Sequence, residues 1–155
     1  MKRLSEYVVP GGIFLHQAHT QADQVIGLLA DHLERRGVVR PSYAGAVKAR
    51  EAIMPTGLPL AEGFAVAVPH TDPEHVLTSG IALAVLDGSA PFCSMDDPDT
   101  KLPVRVVFAL ALRSKDEQIE MLQAIGGLLQ NPAKLKKLTT VNSIEEALAL
   151  LDDVS

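Results

Sequence analysis

At 155 residues the chain fits one domain, residues 1–155, large enough to bury roughly two-thirds of its unfolded surface. Lysine and arginine number 14 against 19 aspartates and glutamates, a formal net charge of −5, which disfavours a nucleic-acid footprint or an anionic membrane patch and favours a protein partner or small ligand. The single cysteine, Cys93, excludes an internal disulfide framework, Met1-Lys2-Arg3-Leu4-Ser5-Glu6 carries no apolar h-region, and no stretch approaches the ~20 apolar residues that span a bilayer, so a soluble, cytoplasmic protein is expected.

Apolar runs alternate with amphipathic segments, the pattern of a sheet covered by helices. Gly12-Ile13-Phe14-Leu15 reads as a short strand. A helix capped by Thr20 runs to about Arg36, with Val25, Ile26, Leu29 and Leu33 as its apolar stripe and Gly37 as its stop. A second helix extends from Pro41 to about Ile53; Pro41 suits its first turn, and Pro55 with Gly57 ends it. Gly63 to Val68 is apolar and β-prone. Gly80 to Leu86 and Val104 to Leu112 are nearly continuous apolar runs, which marks them as buried strands at the sheet's centre. Between them Asp87-Gly88 and Asp96-Asp97-Pro98-Asp99 predict turns, with an additional short strand from Ala90 to Met95. Ser114 with Glu117 forms a capping box for a helix reaching about Gln130, and Ser143 with Glu146 forms one for the last helix. Asn131-Pro132 opens a short basic helix, Ala133 to Leu138, between them. The expected fold is α/β, a mixed, mainly parallel sheet with helices on both faces.

The run Gly63-Phe64-Ala65-Val66-Ala67-Val68 stops on Pro69 and delivers His70 into a polar turn. In open α/β sheets ligands and reacting groups collect where strands finish, because the strand fixes position and the following loop faces outward. An imidazole there suits proton or phosphoryl chemistry near neutral pH, the competing reading being a plain surface-turn histidine. A neutral imidazole attacks an activated phosphoryl group through its lone pair, and the transition state spreads negative charge over equatorial oxygens. Such charge is met by guanidinium, hydroxyl and backbone N–H donors. Arg50 is the best guanidinium, against the alternative of a solvated helix arginine paired with Glu51 or Glu34. Thr56 and Thr71 are hydroxyl donors flanking the same loop, unless each only satisfies a turn.

The segment before the histidine runs Ala49-Arg50-Glu51, then Thr56-Gly57, then Gly63-Phe64-Ala65-Val66-Ala67-Val68-Pro69-His70. It resembles the "A-R-E…T-G…G-x-A-x-P-H" pattern of the fructose/mannitol-type enzyme IIA domains of the bacterial sugar phosphotransferase system, most like the galactitol-specific branch, and the resemblance runs through nearly the whole chain. It implies that domain's fold and a phosphocarrier's role. His70 would take a phosphoryl group from phospho-HPr on Nε2 and pass it to a cysteine of a cognate enzyme IIB, serving the membrane enzyme IIC only indirectly, for galactitol or a related polyol or sugar. The resemblance also implies that the loop folds Arg50 back toward the imidazole. One position departs from the mannitol branch, where many members place a second histidine in a "D-E-H-I" context. Here the chain reads Asp116-Glu117-Gln118-Ile119, and Gln118 either offers an amide hydrogen bond in its place or is a plain exposed helix glutamine.

No cofactor is implied. His16, His19, His32, His70, His75 and Cys93 lack the spacing of a zinc site, and the G-x-S-x-G, G-x-x-x-x-G-K-[ST] and G-x-G-x-x-G patterns are missing from the sequence. Cys93, in Pro91-Phe92-Cys93, reads as a small buried hydrophobe. An apolar rim should surround the histidine for two successive partners, with Phe64, Leu58, Leu60 and Val76 as candidates and core burial as their competing role. The alternative function is a regulatory binding module of the same fold, whose His70 phosphorylation reports sugar or nitrogen status.

Overall fold

The two long apolar runs pair with each other and set the rest of the sheet. In the computed structural model, which describes residues 3–60 and 63–152, β4 (Gly80–Cys93) and β5 (Lys101–Ala111) form an antiparallel hairpin at the centre. β1 (Val8–Gln17) lies parallel to β4 on one side. On the other, β3 (Ala65–Ala67) lies parallel to β5, and β2 (Gly57–Pro59) closes the edge antiparallel to β3, giving the order β1-β4-β5-β3-β2. The sheet is thus mixed, its four strand pairings divided evenly between parallel and antiparallel. Met1 and Lys2 of the N-terminal segment lie outside the described residues.

Side-chain alternation along the hairpin makes two cores. Ala82, Ala84 and Leu86 face α2 (Ala22–Arg35) and α3 (Tyr43–Ile53), whereas Ile81, Leu83 and Val85 face α1 (Leu4–Tyr7), α4 (Lys115–Leu129), α5 (Pro132–Leu138) and α6 (Ile144–Asp152). Helices therefore cover both faces.

The expected turn at Asp87-Gly88 does not form, and β4 runs on through the segment from Ala90 that the sequence predicts as a separate strand. Val85 pairs with Val106 and Ala90 with Val104, so Leu86 to Ser89 bulge opposite Arg105 alone. The bulge persists because Arg105 satisfies the carbonyls it orphans: Nε donates to Gly88 O at 3.1 Å, and Nη2 to Leu86 O at 3.1 Å and Asp87 O at 3.0 Å. It also shifts the facing, since Val104 and Val106 lie in opposite cores.

Helix starts differ from expectation where the main chain substitutes for a side chain. α2 begins after Gln21, not Thr20, with Gln21 O accepting from Gln24 N at 3.1 Å. α3 begins at Tyr43, because Pro41 occupies a turn closed by Tyr43 N donating to Arg40 O at 3.0 Å. The Ser114 and Ser143 caps form as read, Glu117 N and Glu146 N each donating to the serine Oγ at 3.2 Å.

His16, at the end of β1, holds a positive φ of 54° and ties three segments together. Its Nδ1 meets Asp87 Oδ1 at 2.9 Å, and its Nε2 meets Val141 O at 2.9 Å and Asn142 Oδ1 at 3.0 Å. Acceptors on both ring nitrogens favour the imidazolium, and the Asp87 hydrogen bond foremost raises the His16 pKa above its ordinary value. Its stabilisation is therefore complete below the unfolded histidine pKa and fades as pH rises through the elevated folded one. Thermal unfolding followed between about pH 5 and 8 should show a fall in stability with rising pH that Asp87→Asn flattens; equal slopes in the two proteins would contradict this account of His16.

Candidate functional site

β3 is three buried residues long, and its main-chain path continues through Val68 and Pro69 along the end of β5, where Leu110 N donates to Pro69 O at 3.0 Å. His70 leaves the sheet at that point, half-buried. Its Nδ1 lies 2.8 Å from Val68 O, and since a carbonyl only accepts, Nδ1 carries the proton. In the neutral ring the lone pair then sits on Nε2. The strand-end position expected from the sequence is thus joined by a defined tautomer.

Thr56 holds Val68. Val68 N donates to Thr56 Oγ1 at 3.1 Å, while Thr56 donates its own N–H to Glu51 Oε2 at 2.8 Å and its hydroxyl to Glu51 Oε1 at 2.9 Å. The Thr56 hydroxyl proton is committed to Glu51, so this residue braces the loop and does not present a free donor. Thr71 is buried directly beside His70.

The neighbouring Gly57 has a steric reason to be glycine. A Cβ there would meet Cys93 O at 2.5 Å, because the far end of the β4–β5 hairpin curls over to bridge Ser94 with Gly57, and Met95 N donates to Gly57 O at 2.8 Å.

α3 brings both members of the Arg50-Glu51 pair to this end of the sheet. It is fixed there by Tyr43, fully buried, whose hydroxyl donates to Leu110 O at 2.7 Å; burial pushes the Tyr43 pKa well above its ordinary value. Arg50 does not pair with Glu51 or Glu34. Its Nη1 donates to Asp72 Oδ1 at 3.3 Å, two residues beyond His70, so the guanidinium reaches the turn that carries the imidazole. Glu51, half-buried, points to Thr56; burial raises its pKa and the two Thr56 hydrogen bonds only partly offset that rise.

Gln118 lies half-buried in the first turn of α4, which follows β5 at the same end of the sheet. No hydrogen bond joins it to His70 among the described residues. The remaining histidines disperse: His32 Nε2 donates to Pro10 O at 2.8 Å, and His75 Nδ1 meets Ser42 Oγ at 2.8 Å. Cys93 is half-buried.

The rim expected from the sequence is corrected. Phe64 and Val76 are buried, and Leu58 and Leu60 pack on the core beneath. Among the described residues, exposed apolar side chains stand instead on Ile53 and Met54 just beyond Arg50, on Ile119 and Leu122 along α4 beside Gln118, and on Met95, tied to Gly57, with Leu77 and Ile144 exposed elsewhere in the chain. No sequence signal marks Tyr43 as part of this site, whereas Glu51 stands inside the A-R-E string, where its adjacency to Arg50 suggests a partner for that residue.

Among the described residues, no helix is long and apolar enough to cross a membrane. In sequence the chain is similar to the galactitol-specific EIIA component of Escherichia coli (strain K12), 32% identical over 118 residues, 76% of this chain and 77% of that one. It is also similar to the mannitol-specific EIICBA component of the same strain, 28% identical over 90% of this chain, which spans 21% of that longer protein. Among solved structures, the mannitol-specific cryptic phosphotransferase enzyme IIA of Escherichia coli superposes with a TM-score of 0.80 at 24% identity, covering 97% of this chain and 99% of that one. Enzyme IIAMTL of Escherichia coli, in a complex with phosphorylated enzyme IIBMTL, superposes with a TM-score of 0.74 at 26% identity over 93% of this chain and 96% of its own. Residues 7–154 match the family described as "Phosphoenolpyruvate-dependent sugar phosphotransferase system, EIIA 2", and the chain belongs to that family.

Proposed function

We propose that this chain is a phosphocarrier in which His70 Nε2 takes a phosphoryl group from phospho-HPr and hands it to the cysteine of a cognate enzyme IIB. The observation that carries the reading is the hydrogen bond from His70 Nδ1 to Val68 O, which leaves Nε2 as the nucleophilic atom of a half-buried histidine at the end of a strand. The Nε2 lone pair attacks phosphorus while the bond to the donor's imidazole nitrogen breaks and its electron pair leaves with the donor. The product ring bears a phosphoryl group on Nε2 and a proton on Nδ1, and its positive charge is stabilised by the Val68 carbonyl. Attack by the enzyme IIB thiolate then breaks the Nε2–P bond and restores neutral His70, so neither step requires this chain to move a proton.

Arg50 supplies the charge for the transferring oxygens. Its long, partly exposed contact with Asp72 is a weak restraint that an incoming phosphoryl group can displace. Thr71 and Gln118 flank the same end of the sheet as further hydrogen-bonding groups, and Thr56 keeps the strand end in place. Ile53, Met54, Met95, Ile119 and Leu122 form the apolar rim on which the two partners dock in turn. The galactitol-specific relative supports galactitol or a related polyol as the sugar, delivered through a membrane enzyme IIC that this chain serves from the cytoplasm.

Incubation with phosphoenolpyruvate, enzyme I and HPr, read by intact mass, should add one acid-labile phosphoryl group to the wild type and none to His70→Ala. A His70→Ala protein that still gains phosphate, or a wild type that gains none beside a competent control, contradicts the assignment. Phosphorylated protein that passes nothing to an enzyme IIB yet captures another protein would favour the regulatory module. Arg50→Ala should slow the reaction by about 10²-fold, measured as initial rate at saturating phospho-HPr. Ile119→Asp, on an exposed position, should leave folding within about 0.5 kcal/mol of the wild type while raising the phospho-HPr concentration needed for half-maximal rate.

A further inference from the structure

We infer that Glu51 is a positioning residue for His70, acting through Thr56 and the backbone of Val68; this rests on His70 being the phosphoryl acceptor. Consecutive helix residues project about 100° apart, so Arg50 and Glu51 at the end of α3 serve different partners. Arg50 reaches Asp72, whereas both Glu51 oxygens are taken by Thr56. The carboxylate can only accept, which commits the Thr56 hydroxyl proton to Glu51 and turns an oxygen lone pair toward Val68 N–H. Glu51 thus decides which way the Thr56 hydroxyl is polarised.

The Val68 carbonyl is fixed from three directions. Val68 N is tethered to Thr56, the Pro69 ring restricts the following φ, and Pro69 O is tethered to Leu110 N. Loss of the first tether frees the Val68 residue to rotate about its own φ and ψ, and the carbonyl that holds the His70 Nδ1 proton swings with it. The tautomer is then no longer enforced, and Nε2 loses both its lone pair for part of the time and its fixed direction.

Glu51 is an expensive residue for a merely structural brace. It is half-buried, and no cation pairs with it among the described residues, so its charge is desolvated with only the Thr56 donors in compensation. A neutral side chain could accept one Thr56 hydrogen bond without that cost. The ionised carboxylate accepts the two donors on separate oxygens, has no N–H of its own to compete for Thr56 Oγ1, and so leaves that oxygen to accept from Val68.

The test is imidazole nitrogen NMR on histidine-labelled protein, comparing wild type with Glu51→Gln, Glu51→Ala, Thr56→Ser and Thr56→Val, with the amide spectrum of each as the check on folding. Wild type and Thr56→Ser should hold neutral His70 as the Nδ1–H form. Thr56→Val and both Glu51 variants should show its two nitrogens averaging between protonated and unprotonated positions, with phosphorylation by phospho-HPr slowed about tenfold. Should the Glu51 variants not fold, the Thr56→Val and Thr56→Ser pair decides the matter through the same strut. A wild-type tautomer in folded Glu51→Ala or Thr56→Val overturns the inference while leaving His70 as acceptor. The expected tautomer changes in a protein whose wild type takes no phosphate would instead sink the phosphocarrier reading and keep the strut.

Discussion

The hydrogen bond from His70 Nδ1 to the Val68 carbonyl is the constraint on which the site depends, because it converts an ordinary strand-end histidine into one with a single available nitrogen. Its geometry is borrowed from the sheet. Val68 and Pro69 are held against Thr56 and Leu110, Leu110 O in turn receives the Tyr43 hydroxyl, and Tyr43 anchors the helix that carries Arg50 and Glu51. One residue of β5, Leu110, therefore locates both the backbone that leads into His70, through its N–H, and the helix that carries Arg50, through its carbonyl. The precision needed for phosphoryl transfer, where small displacements cost large factors in rate, comes from main-chain contacts more than from side-chain packing around the imidazole.

The opposite part of the hairpin uses the same logic for a different end. Arg105 stabilises a bulge by donating to three backbone carbonyls, and the bulge presents Asp87 to His16. Arg105 lies five residues before Leu110 along β5, roughly 17 Å at the usual strand rise. That separation leaves the bulge free to shape and stabilise the sheet without touching the histidine. Beyond the bulge the hairpin curls over to Gly57, which brings Met95 to the start of β2, directly after Thr56.

Local chemistry made much of this legible in the sequence. The unbroken apolar runs named the central strands, the Ser114 and Ser143 capping boxes named two helix starts, and the strand ending on Pro69 singled out His70. What escaped was information held between distant residues. Asp87-Gly88 looked like a turn because the guanidinium that keeps it in the strand lies on another strand. Glu51 looked like a partner for Arg50 because adjacent charges suggest pairing, whereas the helix turns them apart. Phe64 and Val76 look like rim residues in the sequence, although the chain beside β3 and the turn at Pro73–His75 carries them into the interior; Ile53, Met54, Met95, Ile119 and Leu122 are exposed instead, at positions no periodic pattern announces.

The most direct test of the account is the position of the phosphoryl group on the ring. Phosphorylated protein carrying nitrogen-labelled histidine can be read by phosphorus–nitrogen coupling. Coupling to His70 Nε2, with Nδ1 still protonated, is the predicted result. Coupling to Nδ1 would mean that the Val68 carbonyl does not hold that nitrogen in the reacting protein, and the link drawn between the strand end and the chemistry would fail.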